Sequence, residues 1–249
     1  DLDWDDRGQY DLLASPETTG RKAAQRVVRR LGARPAPSGR APVLFDTEVA
    51  LGLIRHLVGA VSGGNLYRRS SFLLDAQGKQ IFPDWVDIVE NPHLPGAQRS
   101  SSFDAEGVAT RKAALIGQGV LQRYVLGSYS ARKLGLETTG NAGGVRNLIV
   151  SPGQRDFAQL LAEMNRGLIV TEVMGQGVNL VTGDYSRGAS GFWVENGEIA
   201  YPVEEITIAG NLREMFAGLA AVGSDLETRR NIQVPSILLE EMTIAGQEG

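Results

Sequence analysis

Helical periodicity is clearest in the first quarter of the chain. Apolar residues recur at helical spacing from Ala23 to Leu31, behind a start signal in which Ser15 precedes a proline. A Pro-rich connector over residues 34–40 follows, and then a short apolar strand over residues 42–45. Asp46 or Thr47 is placed to cap a second helix, whose apolar face repeats from residue 49 to residue 61.

The rest of the chain mixes short strand signals with turns and two further helices. Strands and turns are predicted over residues 72–127, including a hairpin of 113–116 with 120–126. Further strands are predicted over 145–150 and 168–173, with a helix over 156–164 between them.

The clearest local prediction is a hairpin over residues 191–203, because Asn196-Gly197 suits the positive φ angles of a type I′ turn. Asn211 and Glu214 then indicate the start of a helix that ends near Gly223, and one or two strands follow over 231–244. Helices and strands do not alternate strictly. The pattern therefore favours an α+β fold, with a largely antiparallel sheet or partial barrel and a few packed helices.

Composition narrows the class of protein. The 249 residues, 42% of them hydrophobic, suffice for a full core in one domain or two small ones. A net charge of -4 argues against nucleic-acid binding, which needs clustered, uncompensated cations. The most apolar helical segment is interrupted by Arg55 and His56, so no membrane span is expected. The absence of cysteine excludes disulfides, thiolate metal ligands and a cysteine nucleophile. The absence of a signal-like start agrees with a cytoplasmic location.

Candidate chemistry is sparse. A catalytic zinc site needs about three protein ligands, and the only histidines, His56 and His93, are far apart in the sequence. We therefore expect no metal site and no cofactor in this chain. Ser186 and Ser190 lie in a glycine-rich stretch, predicted to be a loop, without a Gly-x-Ser-x-Gly motif. The glycine-rich stretches 138–144 and 183–191 are better explained as tight turns than as phosphate cradles, and could border a peptide groove.

A long motif gives the chain a family resemblance. Residues 183–199 read GDYSRGASGFWVENGEI and continue through YPVEEITIAGNL at 201–212. Supporting blocks are SGGNLYR at 62–68, FDAEG at 103–107, TGNAGG at 139–144 and VMGQG at 173–177. In this order they resemble the C-terminal part of PmbA/TldE proteins, members of the TldD/PmbA family, also described as modulators of DNA gyrase and as peptidase U62.

The resemblance implies a division of the chain and a role. Residues 1–40 are then expected to form a helical lead-in and connector from a missing N-terminal domain. Residues 41–249 are expected to form the family's C-terminal domain. The implied role is that of the non-zinc subunit of a heteromeric TldD/TldE metallopeptidase. This subunit would contribute to a cavity for peptides and unfolded polypeptides, in the cytoplasm, and would be inactive alone. Family members are linked to maturation of a peptide antibiotic and to turnover of an antitoxin.

The resemblance also locates a degenerate metal motif. In TldD subunits a His-Glu-x-x-x-His helix binds zinc, and its counterpart here is the segment 53–60. The two ligand positions hold Arg55 and Ala60, and the general-base position holds His56. An arginine remains protonated and cannot ligate a metal. Zinc is therefore expected in the TldD-like partner.

Two function classes follow. The first is the non-catalytic partner, which contacts substrate or the other subunit through Asp184, Tyr185, Ser186, Arg187 and Gly188. The second is a hydrolase with its own metal-free site around Asp184, Ser186 and Arg187. We also expect a homodimer when the partner is absent, burying roughly 1,000 Å² or more, because apolar strands such as 192–194 need their edges covered.

Overall fold

The computed structural model describes residues 3–5 and 10–246. Besides a short 3-10 helix at Tyr10–Leu12, these residues form α helices α1 to α6 at Pro16–Arg29, Thr47–Ala60, Gly63–Tyr67, Ser128–Leu134, Phe157–Met164 and Leu212–Ala217. The strands β1 to β11 are Gly39–Phe45, Ile88–Glu90, Ala113–Gly117, Val120–Leu121, Leu148–Val150, Gly167–Met174, Asp184–Glu195, Glu198–Asn211, Leu219–Val222, Ile232–Gln233 and Ile237–Ala245. No helix within these described ranges is long and apolar enough to cross a membrane.

Five strands close into a small barrel. The order is β1-β6-β7-β8-β11, and β11 returns to pair with β1 over Gly39–Phe45. All neighbours are antiparallel except β1 and β6. β9 extends the sheet by pairing with the start of β11. The predicted partial barrel is confirmed.

A second sheet lies outside the barrel. Its order is β10-β5-β2-β3-β4, and β3 with β4 forms the predicted hairpin. β4 holds only Val120 and Leu121, so the predicted strand to residue 126 is wrong in length. Only β10 and β5 are parallel. With helices packed on both sheets, the α+β prediction is confirmed.

Helix α2 has a local start signal and a largely apolar sequence. Asp46 is its N-cap and accepts a hydrogen bond from the Val49 N–H at 3.0 Å. Leu53, Leu57 and Ala60 are buried in the main hydrophobic core, where α2 packs against β1 and β6. The apolar repeat therefore fixes which face of α2 points into the protein.

The β7–β8 hairpin is much longer than the sequence indicates. Asn196 and Gly197 have positive φ angles of 54° and 76°, as a type I′ turn requires. The hairpin, however, runs from Asp184 to Asn211. The prediction of a loop over residues 183–191 is therefore wrong. β7 has neighbours on both sides that pair with its glycine-rich half, so tertiary pairing outweighs the poor strand propensity of glycine.

Of two further helices, α1 is found as predicted and α6 is shorter than predicted. α1 begins as predicted, with Ser15 accepting from the Thr18 N–H, but none of its residues is buried. Val28 is 64% exposed and Leu31, just beyond the helix, is 69% exposed. α6 has its predicted cap at Asn211 but ends at Ala217, because Leu219 already belongs to β9.

Candidate functional site

The predicted degenerate metal motif, residues 53–60, lies in the C-terminal part of α2, which meets β7 through His56. Its two predicted ligand positions have unrelated surroundings, since Arg55 is exposed and Ala60 is fully buried in the core. His56, at the general-base position, is half-buried and contacts β7 through Tyr185. The structure therefore brings His56 together with predicted contact residues of β7 and leaves Arg55 outside this cluster.

His56 has an aromatic and a cationic neighbour. Its imidazole meets the Tyr185 ring edge to face, with 6.1 Å between ring centroids and planes at 77°. Burial lowers the pKa of His56 below 6.5, and the positive charge of Arg187 lowers it further. The imidazole is thus neutral at pH values around 7.

The two β7 residues near His56 are themselves held in place. Tyr185 is buried, and burial raises its pKa to about 12 against the opposing effect of Arg187, so the phenol keeps its proton. The Arg187 Nε–H donates to the Met174 carbonyl oxygen at 2.9 Å. The cluster of His56, Tyr185 and Arg187 therefore presents one neutral ring, one phenol and one fixed positive charge.

Asp184 and Ser186 point to the opposite face of β7. Side chains alternate along a strand, and these two residues are exposed while Tyr185 is buried. Asp184 accepts from the Thr182 hydroxyl at 2.6 Å and from the Asn211 side-chain amide at 3.2 Å. Among the described residues, no histidine or carboxylate is hydrogen-bonded to the Ser186 hydroxyl. The alternative hydrolase site thus lacks a base beside its serine.

The main chain at the start of β7 is fully engaged. One edge pairs with β8, where Asp184 lies opposite Asn211. On the other edge the Ser186 N–H donates to the Gly177 carbonyl at 2.6 Å, and the Asn179 N–H donates to the Asp184 carbonyl at 2.9 Å. Gly188 lies between Met174 and Thr207. A peptide cannot add here as another strand, so contact with it has to use side chains.

The residues around His56 do not fit a zinc ion. Within the described part of the chain, no three His, Cys, Asp or Glu residues are grouped as a metal site would require. The neighbours of His56 are a protonated phenol and a guanidinium, which are poor partners for a divalent cation. His93 is exposed in the loop after β2 and is hydrogen-bonded to Thr110.

One buried polar cluster escaped the sequence analysis. Glu90 on β2 is buried and accepts hydrogen bonds from the Arg123 guanidinium, the Asn141 amide and the Arg146 N–H. Asn141 belongs to the glycine-rich stretch 138–144, so this stretch wraps a buried carboxylate. The sequence signal for this cluster was an asparagine among glycines. No local spacing relates Asn141 to Glu90, so the sequence could not predict their contact.

Comparison with known proteins gives one consistent family. Residues 38–246 match the model for the PmbA/TldA metallopeptidase C-terminal domain. The chain is 56% identical to Metalloprotease PmbA of Escherichia coli O157:H7 over 94% of its own length and 52% of that protein. It is 25% identical to a Metalloprotease TldD homolog of Haemophilus influenzae, over 91% of its length and 52% of that protein.

Solved structures agree with this assignment. A Thermotoga maritima protein described as a candidate modulator of a DNA gyrase superposes with a TM-score of 0.88 at 37% identity, over 95% of this chain and 56% of that one. TldE from Thermococcus kodakarensis superposes with a TM-score of 0.81 at 27% identity, over 92% of this chain and 55% of that one.

The chain spans about half the length of the curated relatives it matches, 52% for the PmbA and TldD proteins above. The family model nevertheless covers most of the chain, and the PmbA identity is far above the level at which only a fold is shared. The chain therefore belongs to the PmbA/TldD metallopeptidase family.

Proposed function

We propose that this chain is the non-zinc subunit of a TldD/TldE-type metallopeptidase and contributes to the substrate cavity. The observation that supports this role most strongly is the contact of His56 with Tyr185 and Arg187 of β7. His56 lies on α2, the helix that the resemblance matches to the zinc motif. At that place the chain offers one imidazole nitrogen donor and a positive charge. Such a set repels a divalent cation.

The chemistry of peptide hydrolysis then has to come from another subunit. A catalytic zinc keeps about three protein ligands and activates a water molecule at an open position. Arg55 is permanently protonated, and Ala60 has no donor atom and lies in the core. Zinc is accordingly a cofactor of the TldD-like partner, and this chain alone is inactive as a peptidase.

The contribution of β7 to substrate binding is through side chains. Arg187 is half-buried and anchored to the Met174 carbonyl by its Nε–H, which leaves its other N–H donors for a peptide carbonyl or carboxylate. Asp184 and Ser186, exposed on the other face, are suited to contact the partner subunit. Substrate and partner thus meet opposite faces of one rigid strand.

The partner is a TldD-like zinc subunit in the cytoplasm. Support comes from the similarity of this chain to a protein named as a TldD homolog. Related subunits of one fold pair readily about a pseudo-two-fold axis. The same surface would let this chain form a homodimer when the partner is absent. The edges of residues 192–194 give no support to that dimer, because β6 and β8 already cover them.

The test is a reconstitution of peptidase activity. Unfolded polypeptide would be incubated with this chain, with the TldD-type subunit of the same genome, and with both. We expect activity only in the mixture, and expect Arg187→Gln to raise KM while leaving assembly, measured by light scattering, unchanged. Arg69→Gln, at an exposed site on another segment, is the control. Metal-dependent hydrolysis by this chain alone would contradict the proposal.

A further inference from the structure

Three neighbouring side chains around the start of β7 carry polar groups without partners. Tyr185 and Arg187 lie on one face of the strand, roughly 7 Å apart along it. His56 packs against the Tyr185 ring from α2. Within residues 3–5 and 10–246, neither the Tyr185 hydroxyl nor a His56 ring nitrogen has a hydrogen-bond partner, and no carboxylate is in salt-bridge contact with Arg187.

The Tyr185 hydroxyl is the most informative of these groups. The residue is only 4% exposed, and a polar group buried without a hydrogen bond costs free energy. Among the described side-chain nitrogen and oxygen atoms that are shut off from solvent, only the Nε atoms of Arg123 and Arg230 lack a partner. The Tyr185 hydroxyl is not one of those enclosed atoms, so part of it can be reached from outside. A bound molecule can therefore supply the missing hydrogen bond.

Arg187 places a positive charge beside this hydroxyl. Its Nε–H donates to the Met174 carbonyl at 2.9 Å, which fixes the guanidinium and leaves its terminal N–H groups without an acceptor in the described part of the chain. Burial is the main cause of the shifted pKa values of His56 and Tyr185, and the charge of Arg187 is the second cause in both. The guanidinium therefore lies close to both groups. The pKa of Tyr185 is nevertheless raised to about 12, so the phenol keeps a proton to donate.

We propose that Tyr185 and Arg187 together bind a carboxylate of the substrate peptide, and that they make the proposed cavity selective for peptides that present one. A carboxylate has two acceptor oxygens and a negative charge, so it can accept from the guanidinium and the phenol at once. A neutral carbonyl offers one oxygen and leaves Arg187 unbalanced. The carboxylate comes from the C-terminus of the peptide or from an acidic side chain. The role of the carboxylate as part of a substrate rests on the proposed function, whereas its binding requires only this chain.

Calorimetric titration of this chain with three acetylated peptides of glycine and alanine tests the site. The reference peptide ends in an amide and has one internal glutamine. The second peptide ends in a free carboxylate instead, and the third has glutamate in place of the glutamine. We expect at least one acidic peptide to bind about tenfold or more tightly than the reference, the scale of a charge-assisted hydrogen bond. The acidic peptide that binds more tightly identifies the source of the carboxylate.

Variants show whether the two side chains cause this preference. Tyr185→Phe keeps the ring and its contact with His56 and removes only a hydroxyl that has no partner, so urea unfolding should be unchanged. The preference for the acidic peptide should nevertheless fall several-fold. Tyr129→Phe, at an exposed site on α4, should leave the preference unchanged. Arg187→Gln should abolish the preference, and Arg69→Gln, at an exposed site, should retain it.

Equal affinities for the three peptides, or equal losses in Tyr185→Phe and Tyr129→Phe, would overturn the proposal. The same peptides, offered to the mixture with the TldD-type subunit, separate this inference from the proposed function. Hydrolysis of the acidic and reference peptides with equal KM would overturn the carboxylate site and leave the subunit role standing. Preferential binding of an acidic peptide by this chain, without hydrolysis of any peptide in the mixture, would leave the site standing and count against the subunit role.

Discussion

Two glycines of β7 provide a matched test of the closed barrel. A Cβ atom at Gly191 would lie 1.8 Å from the Ile169 carbonyl oxygen and 3.1 Å from the Val170 Cα atom. Both are backbone atoms of β6, so no side-chain rotation relieves the clash. A Cβ atom at Gly188 would lie 3.6 Å from the Met174 Cβ, an ordinary contact.

Gly191→Ala should therefore force β6 and β7 apart and cost about 3 kcal/mol or more of unfolding free energy, the upper range for overpacked cores. Gly188→Ala should change it by less than about 1 kcal/mol, since reduced freedom of the unfolded chain offsets small strain. Urea unfolding followed by tryptophan fluorescence measures both. If the two variants lose the same stability, the close approach of β6 and β7 is not as described.

Three further expectations concern titratable groups. Glu90→Ala removes the carboxylate that accepts from the partly buried Arg123 and the buried Asn141, and should cost about 3–5 kcal/mol in urea unfolding. Glu137→Ala at an exposed site should cost less than about 0.5 kcal/mol; similar losses would contradict the buried cluster. Arg187→Gln should raise the pKa of His56 in an NMR titration, while burial, the larger cause, keeps it below 6.5; an unchanged pKa would show that Arg187 does not act on His56. The unmodified chain should lose stability relative to Asp46→Asn as the pH rises from about 4 to about 7. The reason is that Asp46 releases its proton near pH 3.8 in the unfolded state and near pH 7 in the folded state. A stability difference that does not change with pH would refute the raised pKa of Asp46.

Local signals predicted much of the fold. The starts of α1, α2 and α5 follow from caps at Ser15, Asp46 and Asp156, each of which bonds an N–H three residues later. The Asn196-Gly197 turn follows in the same way from the positive φ angles it needs. These features depend only on neighbours in sequence, so the sequence is sufficient to place them.

Features that depend on distant contacts were missed. The glycines before Phe192 suggested a loop, and only pairing with β6 and β8 makes that stretch a strand. The periodicity of α1 predicts an apolar face but does not say whether anything covers it, and Val28 is exposed. Apolar patterning identifies a face and leaves its partner open.

The candidate site was predicted in part. Family resemblance located Arg55, His56 and Ala60 on one helix, and the β7 motif drew attention to Tyr185 and Arg187. Their meeting across the sheet required the structure, because no spacing rule relates α2 to β7. The split of β7 into two faces, with Ser186 turned away from Tyr185, follows from the alternation of side chains once the segment is known to be a strand.

The zinc content of the purified chain tests the central claim most directly. The chain would be incubated with excess zinc, dialysed, and assayed by atomic absorption beside His56→Ala. We predict well below one zinc per chain in both samples, because His56 has Arg187 and Tyr185 as neighbours in place of further ligands. One zinc per chain, lost on replacement of His56, would contradict the assignment of this chain as the non-zinc subunit.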